Sequence, residues 1–179
     1  PSVMSISART PMASMRVAEL IQEVGFPKGT VNFVSGRGRT IIPALANNQI
    51  PRLLTMIGST LAGKKLIEHS STSVKRFSLE LGGDAPVLVF GDAELDTAVA
   101  DIVGLKMANA GQICVAPNRV FVHASIYESF LEKAKVLMES YRYLGETGEG
   151  PELSPVCTES SIEKMVDFCR PDNHGGTVL

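Results

Sequence analysis

Two short stretches carry residues able to do covalent chemistry. Cys114 stands in Asn109-Ala110-Gly111-Gln112-Ile113-Cys114-Val115, and Glu80 in Leu79-Glu80-Leu81-Gly82-Gly83. A nucleophilic sulfur needs exposure, nearby donors and a group that removes its proton. A helical pattern ends just before Cys114 and a strand pattern begins just after it, which places the thiol on an irregular segment. Glu80 precedes two glycines that let the chain bend toward a cleft, where a carboxylate can take a proton from a water or a thiol. Together they read as nucleophile and general base. The plainer alternatives are a small hydrophobe for Cys114 and a surface strand glutamate for Glu80.

A third stretch, Gly58-Ser59-Thr60-Leu61-Ala62-Gly63, lies between a strand pattern and a helix pattern. Free N–H groups and the helix dipole make such a turn a site for an anion. Gly58 lets a phosphate approach the backbone, and Ser59 can donate a hydroxyl or simply cap the helix. With Lys64 the stretch reads GxxxxGK, but Lys65 stands where a triphosphatase loop needs Ser or Thr for magnesium. A dinucleotide pyrophosphate contact is the better reading. Cys169 fits the apolar face of the last helix, and Cys157 lies in a polar loop without an evident partner. His69, His123 and His174 have no local pattern that makes them bases. With no CxxC, no metal site is expected.

The elements that must position these residues alternate. Thr10 and Pro11 start a helix through Val17, Leu20, Ile21 and Val24, and Gly25 ends it. Val31–Val34 is a short strand, and after Gly36-Arg37-Gly38 a helix runs through Ile41, Ile42, Leu45 and Ala46 with Pro43 in its first turn. Arg52–Ile57 is a strand, followed by a helix through Leu61, Leu66 and Ile67. This rhythm predicts an open, mostly parallel α/β sheet. Phe77–Leu81 is strand-like, and the apolar run Pro86–Phe90 reads as a buried strand. Asp92 caps a helix ending near Gly111, Arg119–Val122 is a strand, and Ser125 with Glu128 forms a capping box for the next helix. Gly145 to Pro155 is a loop. Ser160 and Glu163 cap a last helix whose Ile162, Met165, Val166 and Cys169 share one face. Gly175–Leu179 reads as a turn followed by the start of a strand.

Composition is that of a globular domain, 44% hydrophobic and 20% charged, with a net charge of −2 and Lys and Arg spread along the 179 residues. That balance calls for neither nucleic acid nor a membrane surface as partner. No apolar run reaches the roughly 18 residues needed to span a bilayer, and no secretory leader is read. Three cysteines argue against a disulfide framework and for a reducing, cytoplasmic setting. The abrupt ends suggest a fragment of something longer.

Leu79-Glu80-Leu81-Gly82-Gly83-Asp84-Ala85-Pro86 and Asn109–Cys114 together resemble the two signature stretches of the NAD(P)-dependent aldehyde dehydrogenase superfamily. Val24–Val34, Gly58-Ser59-Thr60 and Asn118-Arg119 fit the same family in the same order. The resemblance implies an aldehyde dehydrogenase-like fold: a partial Rossmann-type parallel sheet, residues 1–82, as the latter half of an NAD(P)-binding domain, then a partial α/β catalytic domain, residues 83–179. It implies Cys114 as nucleophile toward an aldehyde, its backbone N–H as half of the oxyanion hole, and Glu80 as the base that activates water. Gly58 and Ser59 would meet the pyrophosphate of NAD or NADP, Gly36 the adenosine and Leu81 the nicotinamide. The full-length form would be a homo-oligomer. Several departures stand out. The family's oxyanion asparagine and its ribose-binding lysine would lie upstream of Pro1. Pro1-Ser2 correspond to the residues after the strand that ends in that lysine. Val3 replaces a common acidic residue and precedes a short insertion. Met56-Ile57 replace Phe-Thr, and the loop from Tyr143 to Gly150 is short. A truncated, non-catalytic homologue that binds nucleotide weakly or pairs with a full-length subunit is the alternative.

Overall fold

The computed structural model describes residues 1–147 and 149–170 of the chain. His174 and the run Gly175–Leu179 lie outside the described residues. Two compact units divide the chain, Pro1–Gly82 and Gly83–Leu179.

The first unit runs β1 (Ser2–Ser5), α1 (Met12–Glu23), β2 (Val31–Val34), α2 (Gly38–Ala46), β3 (Leu53–Ile57), α3 (Thr60–Glu68) and β4 (Arg76–Glu80). β1 pairs with β2 and β3 with β4, both parallel and each as a two-stranded ladder, where the sequence rhythm predicts one open sheet. β1 is a further difference, because the resemblance puts Ser2 beyond a strand. It is held in place by Ser2 N–H on the Thr30 carbonyl (2.8 Å) and by the Asn32 amide on the Ser2 carbonyl (3.0 Å). The core of this unit is small: Ala46, Leu54 and Leu66, with Ile42, Met56 and Leu79 packed against them. α1 forms where expected and Gly25 ends it in a left-handed conformation, yet none of its residues is buried.

The second unit runs β5 (Pro86–Val89), α4 (Leu95–Met107), a 3-10 turn (Ala108–Gly111), β6 (Arg119–Val122), a short 3-10 turn (Ala124–Ile126), α5 (Tyr127–Glu139), β7 (Arg142–Tyr143), β8 (Glu152–Leu153) and α6 (Glu159–Phe168). β5 and β6 are parallel, with Val89 opposite Val122. Their inward side chains meet α4 and α5 in a core of Val89, Val99, Val103, Phe130 and Ala134. The run Pro86–Phe90 is therefore not buried throughout. Alternation along the strand turns Leu88 and Phe90 outward, and each is 64% exposed. Lys133 and Asp96 join α5 to α4 at 2.6 Å, and this hydrogen bond holds the Lys133 ammonium above the ordinary lysine pKa.

Helix starts differ more than helix bodies. Pro11, not Thr10, occupies the cap of α1, and the Thr10 hydroxyl bonds Ser7 instead. Pro43 falls beyond the first turn of α2, because that helix already begins at Gly38. Glu94 replaces Asp92 as the cap residue of α4, without a side-chain bond. The Ser125–Glu128 box does not form, because the His123 ring engages Ser125 through both its backbone N–H and its hydroxyl (3.3 and 2.8 Å). Thr158 caps α6 in place of Ser160, accepting from the Ser161 N–H. Cys169, expected on a buried face of that helix, is exposed. Within the segment read as loop, Glu152–Leu153 forms β8, which pairs with β7 just ahead of that segment.

The core assignment is testable by paired truncations. Val103→Ala at a fully buried position of α4 is expected to cost about 2 kcal/mol in urea unfolding, from lost burial plus the cavity left behind. Val136→Ala on the open face of α5 is expected to change stability by no more than about 0.5 kcal/mol.

Candidate active site

In the first unit, β3 and β4 run side by side and end together, with Ile57 opposite Glu80. The ladder continues one step, since the Gly58 N–H donates to the Glu80 carbonyl at 3.0 Å. Ser59 then caps α3, its Oγ accepting from the Ala62 N–H at 3.2 Å, and the hydroxyl proton stays available to a ligand. The N–H groups of Ser59, Thr60 and Leu61 meet no acceptor among the described residues. Leu81 leaves the strand and packs on α3. A Cβ placed on buried Gly63 would stand 3.0 Å from both Leu81 methyl carbons, so only glycine lets Leu81 lie this close to the helix. Gly58, Ser59, Glu80 and Leu81 are thus brought together at one end of the β3–β4 pair. The Glu80 side chain is exposed and makes no hydrogen bond or ion pair among the described residues. Gly36 lies elsewhere, just past β2, beside Ile41 of α2.

In the second unit the thiol is presented by an unusual helix ending. Asn109 (φ 51°, ψ 34°), Ala110 (φ 54°, ψ 38°) and Gly111 (φ 71°) are successive left-handed residues. Asparagine tolerates that region, glycine enters it freely, and alanine is disfavoured there. Gly111 is further constrained, because a Cβ on it would lie 3.2 Å from the Lys106 carbonyl oxygen. Gln112 follows as a clamp. Its amide nitrogen donates to the Asn109 carbonyl (2.9 Å) and to the Pro155 carbonyl (3.4 Å), while its Oε1 accepts from the Cys157 N–H (2.9 Å). A turn closed by Ala116 N–H on the Ile113 carbonyl (3.1 Å) then sets Cys114 outward, with an exposed thiol. The N–H groups of Ile113, Cys114 and Val115 have no acceptor among the described residues.

Asn118 fastens this turn from the other side. Its amide nitrogen donates to the Gly83 carbonyl (3.0 Å), and its Oδ1 accepts from Lys106 Nζ (3.0 Å). Its backbone N–H reaches the Ala85 carbonyl at 3.4 Å. The start of the unit, the end of α4 and the cysteine turn meet on one side chain. From the sequence, Asn118 is only part of a family match and Gln112 only a flexible neighbour of Cys114. The signal for both is a side-chain amide on a loop next to a Gly or a Pro, where it serves backbone groups. Cys157 is exposed and contributes its backbone N–H. His123 is spent on Ser125 and His69 closes α3. Among the described residues no cluster of three His, Cys, Asp or Glu is able to hold a metal ion, and no helix is long and apolar enough to cross a membrane.

The aldehyde dehydrogenase family model matches residues 2–179. The mitochondrial succinate-semialdehyde dehydrogenase of Oryza sativa subsp. japonica is 36% identical over 166 residues, which are 93% of this chain and 32% of that protein. The succinate-semialdehyde dehydrogenase [NADP(+)] GabD of Escherichia coli K12 is 35% identical over 163 residues, 91% of this chain and 34% of the relative. The crystal structure of PnpE in complex with nicotinamide adenine dinucleotide superposes with a TM-score of 0.90 at 35% identity, covering 99% of this chain and 37% of that one. The chain belongs to the aldehyde dehydrogenase family and has its α/β fold in part. It spans about a third of the length of the curated relatives it matches.

Two glycines bracketing the end of α4 give opposite expectations. Gly111→Ala, forced into a left-handed conformation against the Lys106 carbonyl, is expected to lose about 1–2 kcal/mol in thermal or urea unfolding. Gly104→Ala, inside α4 with open space where the Cβ would stand, is expected to gain about 0.5–1 kcal/mol.

Proposed function

We propose that this chain carries the nucleophile, the general base and the pyrophosphate-binding turn for oxidation of an aldehyde to a carboxylic acid with NAD or NADP. The observation that carries this reading is the exposed Cys114 thiol, set just beyond a left-handed turn with free N–H groups on either side, in a chain of this family. Residues 1–82 are the latter half of the cofactor domain in this reading, and residues 83–179 the first half of the catalytic domain. The full-length form is a cytoplasmic homo-oligomer.

The cofactor fits the residues present. The three acceptor-free amides at the start of α3 and the Ser59 hydroxyl match an anionic diphosphate, which a helix N-terminus favours. In this reading Gly58 meets the pyrophosphate beside Ser59, Leu81 the nicotinamide and Gly36 the adenosine. When bound, NAD or NADP accepts the hydride released from the substrate carbon.

Cys114 Sγ, as thiolate, adds to the aldehyde carbon and forms a carbon–sulfur bond, with the charge passing to the carbonyl oxygen. The Cys114 N–H donates to that oxygen, in the manner of an oxyanion hole. Loss of hydride leaves a thioester on Cys114. Glu80 takes a proton from water as its oxygen attacks the thioester carbon. The carbon–sulfur bond then breaks, releasing the carboxylic acid and the thiolate. The aldehyde is taken from the compounds named for the relatives, succinic semialdehyde first.

The chain is to be incubated with NAD or NADP and succinic semialdehyde or propanal, following reduced nicotinamide at 340 nm. Cys114→Ala is expected to remove turnover altogether. Glu80→Gln is expected to keep a single-turnover burst of reduced nicotinamide while hydrolysis slows by about 10²–10⁴-fold. Turnover surviving Cys114→Ala would refute the assignment of the nucleophile. Absence of both burst and turnover in a folded chain whose Cys114 still reacts with iodoacetamide would favour the non-catalytic homologue.

A further inference from the structure

The net charge of −2 conceals a segregation. Pro1–Gly82 contains ten Lys and Arg against four Asp and Glu, a net +6, whereas the remaining residues contain seven against fifteen, a net −8. The four acids of the first unit are Glu19, Glu23, Glu68 and Glu80, so no carboxylate precedes Glu19 and none falls between Glu23 and Glu68. Glu19 and Glu23 are both engaged by Arg16, at 2.8 and 3.1 Å.

Ligands of open α/β sheets lie beyond the C-terminal ends of the parallel strands. The strand ends of β1 and β2 stay together past the ladder, with Ile6 N–H on the Val34 carbonyl at 3.1 Å. The loop after β1 delivers Arg9. Its backbone is fixed by Ser7 Oγ, which accepts from the N–H groups of Arg9 (3.3 Å) and Thr10 (3.2 Å). The turn after β2 delivers Arg37, the cap residue of α2, and Arg39 in its first turn. The Gly38 and Arg39 N–H groups have no acceptor among the described residues. Arg9, Arg37 and Arg39 are exposed and form no ion pair among the described residues. The contrast with Arg16 is informative: where the unit places acids within reach, they pair with arginine, and at these strand ends it places none.

A carboxylate at this end of the sheet would select a free ribose 2′-hydroxyl, whereas arginine accommodates a 2′-phosphate. We infer that the first unit prefers NADP to NAD, with Arg9, Arg37 and Arg39 taking the 2′-phosphate. The inference rests on the reading that the β3–α3 turn holds the cofactor pyrophosphate, and it adds the choice between the two nucleotides. Guanidinium groups suit this task because their planar donors meet phosphate oxygens in pairs.

The test is calorimetric titration of the chain with 2′,5′-ADP and with 5′-AMP, alongside NADP and NAD. The 2′-phosphorylated member of each pair is expected to bind about 10-fold or more tightly at low salt, and the advantage is expected to shrink as ionic strength rises. In Arg9→Ala/Arg37→Ala/Arg39→Ala, folded by circular dichroism, the two members of each pair are expected to bind within about 3-fold of one another, with 5′-AMP affinity unchanged. Equal binding of NADP and NAD by the unsubstituted chain would overturn this inference and leave the proposed activity standing. So would a triple variant that keeps the full preference. Failure of the folded chain to bind any of the four nucleotides would overturn both readings.

Discussion

The placement of Cys114 depends on a backbone conformation that most residues avoid. Three left-handed residues in succession reverse the chain at the end of α4 within a single turn. A right-handed continuation would carry the following residues on along the helix. Ala110 is the costly member, of the order of 1–2 kcal/mol by general experience with left-handed alanine. The neighbouring contacts hold that residue in place. Asn109 and Gln112 exchange hydrogen bonds across the turn (2.9 and 3.3 Å), and the Gln112 amide also reaches the Pro155 carbonyl. Strain kept by an over-determined surround is a common mark of sites where a side chain must be aimed.

The other half of the candidate site uses a different device. At the end of β3–β4 nothing is strained. Strand pairing itself delivers Glu80, Gly58 N–H extends the ladder, and the change from strand to helix leaves three amides unspent beside Ser59. A parallel pair followed by a helix makes such a place wherever it occurs. Its particular character here comes from Gly63, whose missing side chain lets Leu81 lie on α3 at the carboxylate's neighbouring position.

Much of this was legible in the sequence where a single local force dominates. β2 and β6 fall where apolar β-branched runs place them, and α3 starts at Ser59 because a serine precedes a helical pattern directly after a strand. Caps are ambiguous in the sequence where several candidates compete. Thr10 and Ser7, or Ser125 and His123, are near neighbours, and tertiary contacts decide which oxygen or nitrogen reaches which amide. Pro86–Phe90 departs from expectation for another reason. An apolar run does not say how many of its faces are covered, and here Val87 and Val89 meet the core while Leu88 and Phe90 do not. The roles of Gln112 and Asn118 were illegible, since their partners Pro155, Cys157, Gly83 and Ala85 are remote in sequence. The charge segregation was visible throughout, but a whole-chain sum cancels it.

Lys106 shows how the core is connected to the thiol. Val99 and Val103 of α4 are buried against β5, β6 and α5, so the helix is a fixed platform. One turn beyond that core, Lys106 acts through two separate parts. Its carbonyl oxygen closes off the space at Gly111 and so reserves that position for glycine. Its ammonium holds Asn118 Oδ1, which orients the Asn118 amide toward the Gly83 carbonyl. Replacing the charge with a neutral side chain would free Asn118 to rotate, while the turn at Gly111 would keep its backbone restriction. The two constraints on Cys114 therefore share a residue but not an atom. The turn direction rests on backbone sterics, and the fastening rests on an exposed side-chain hydrogen bond.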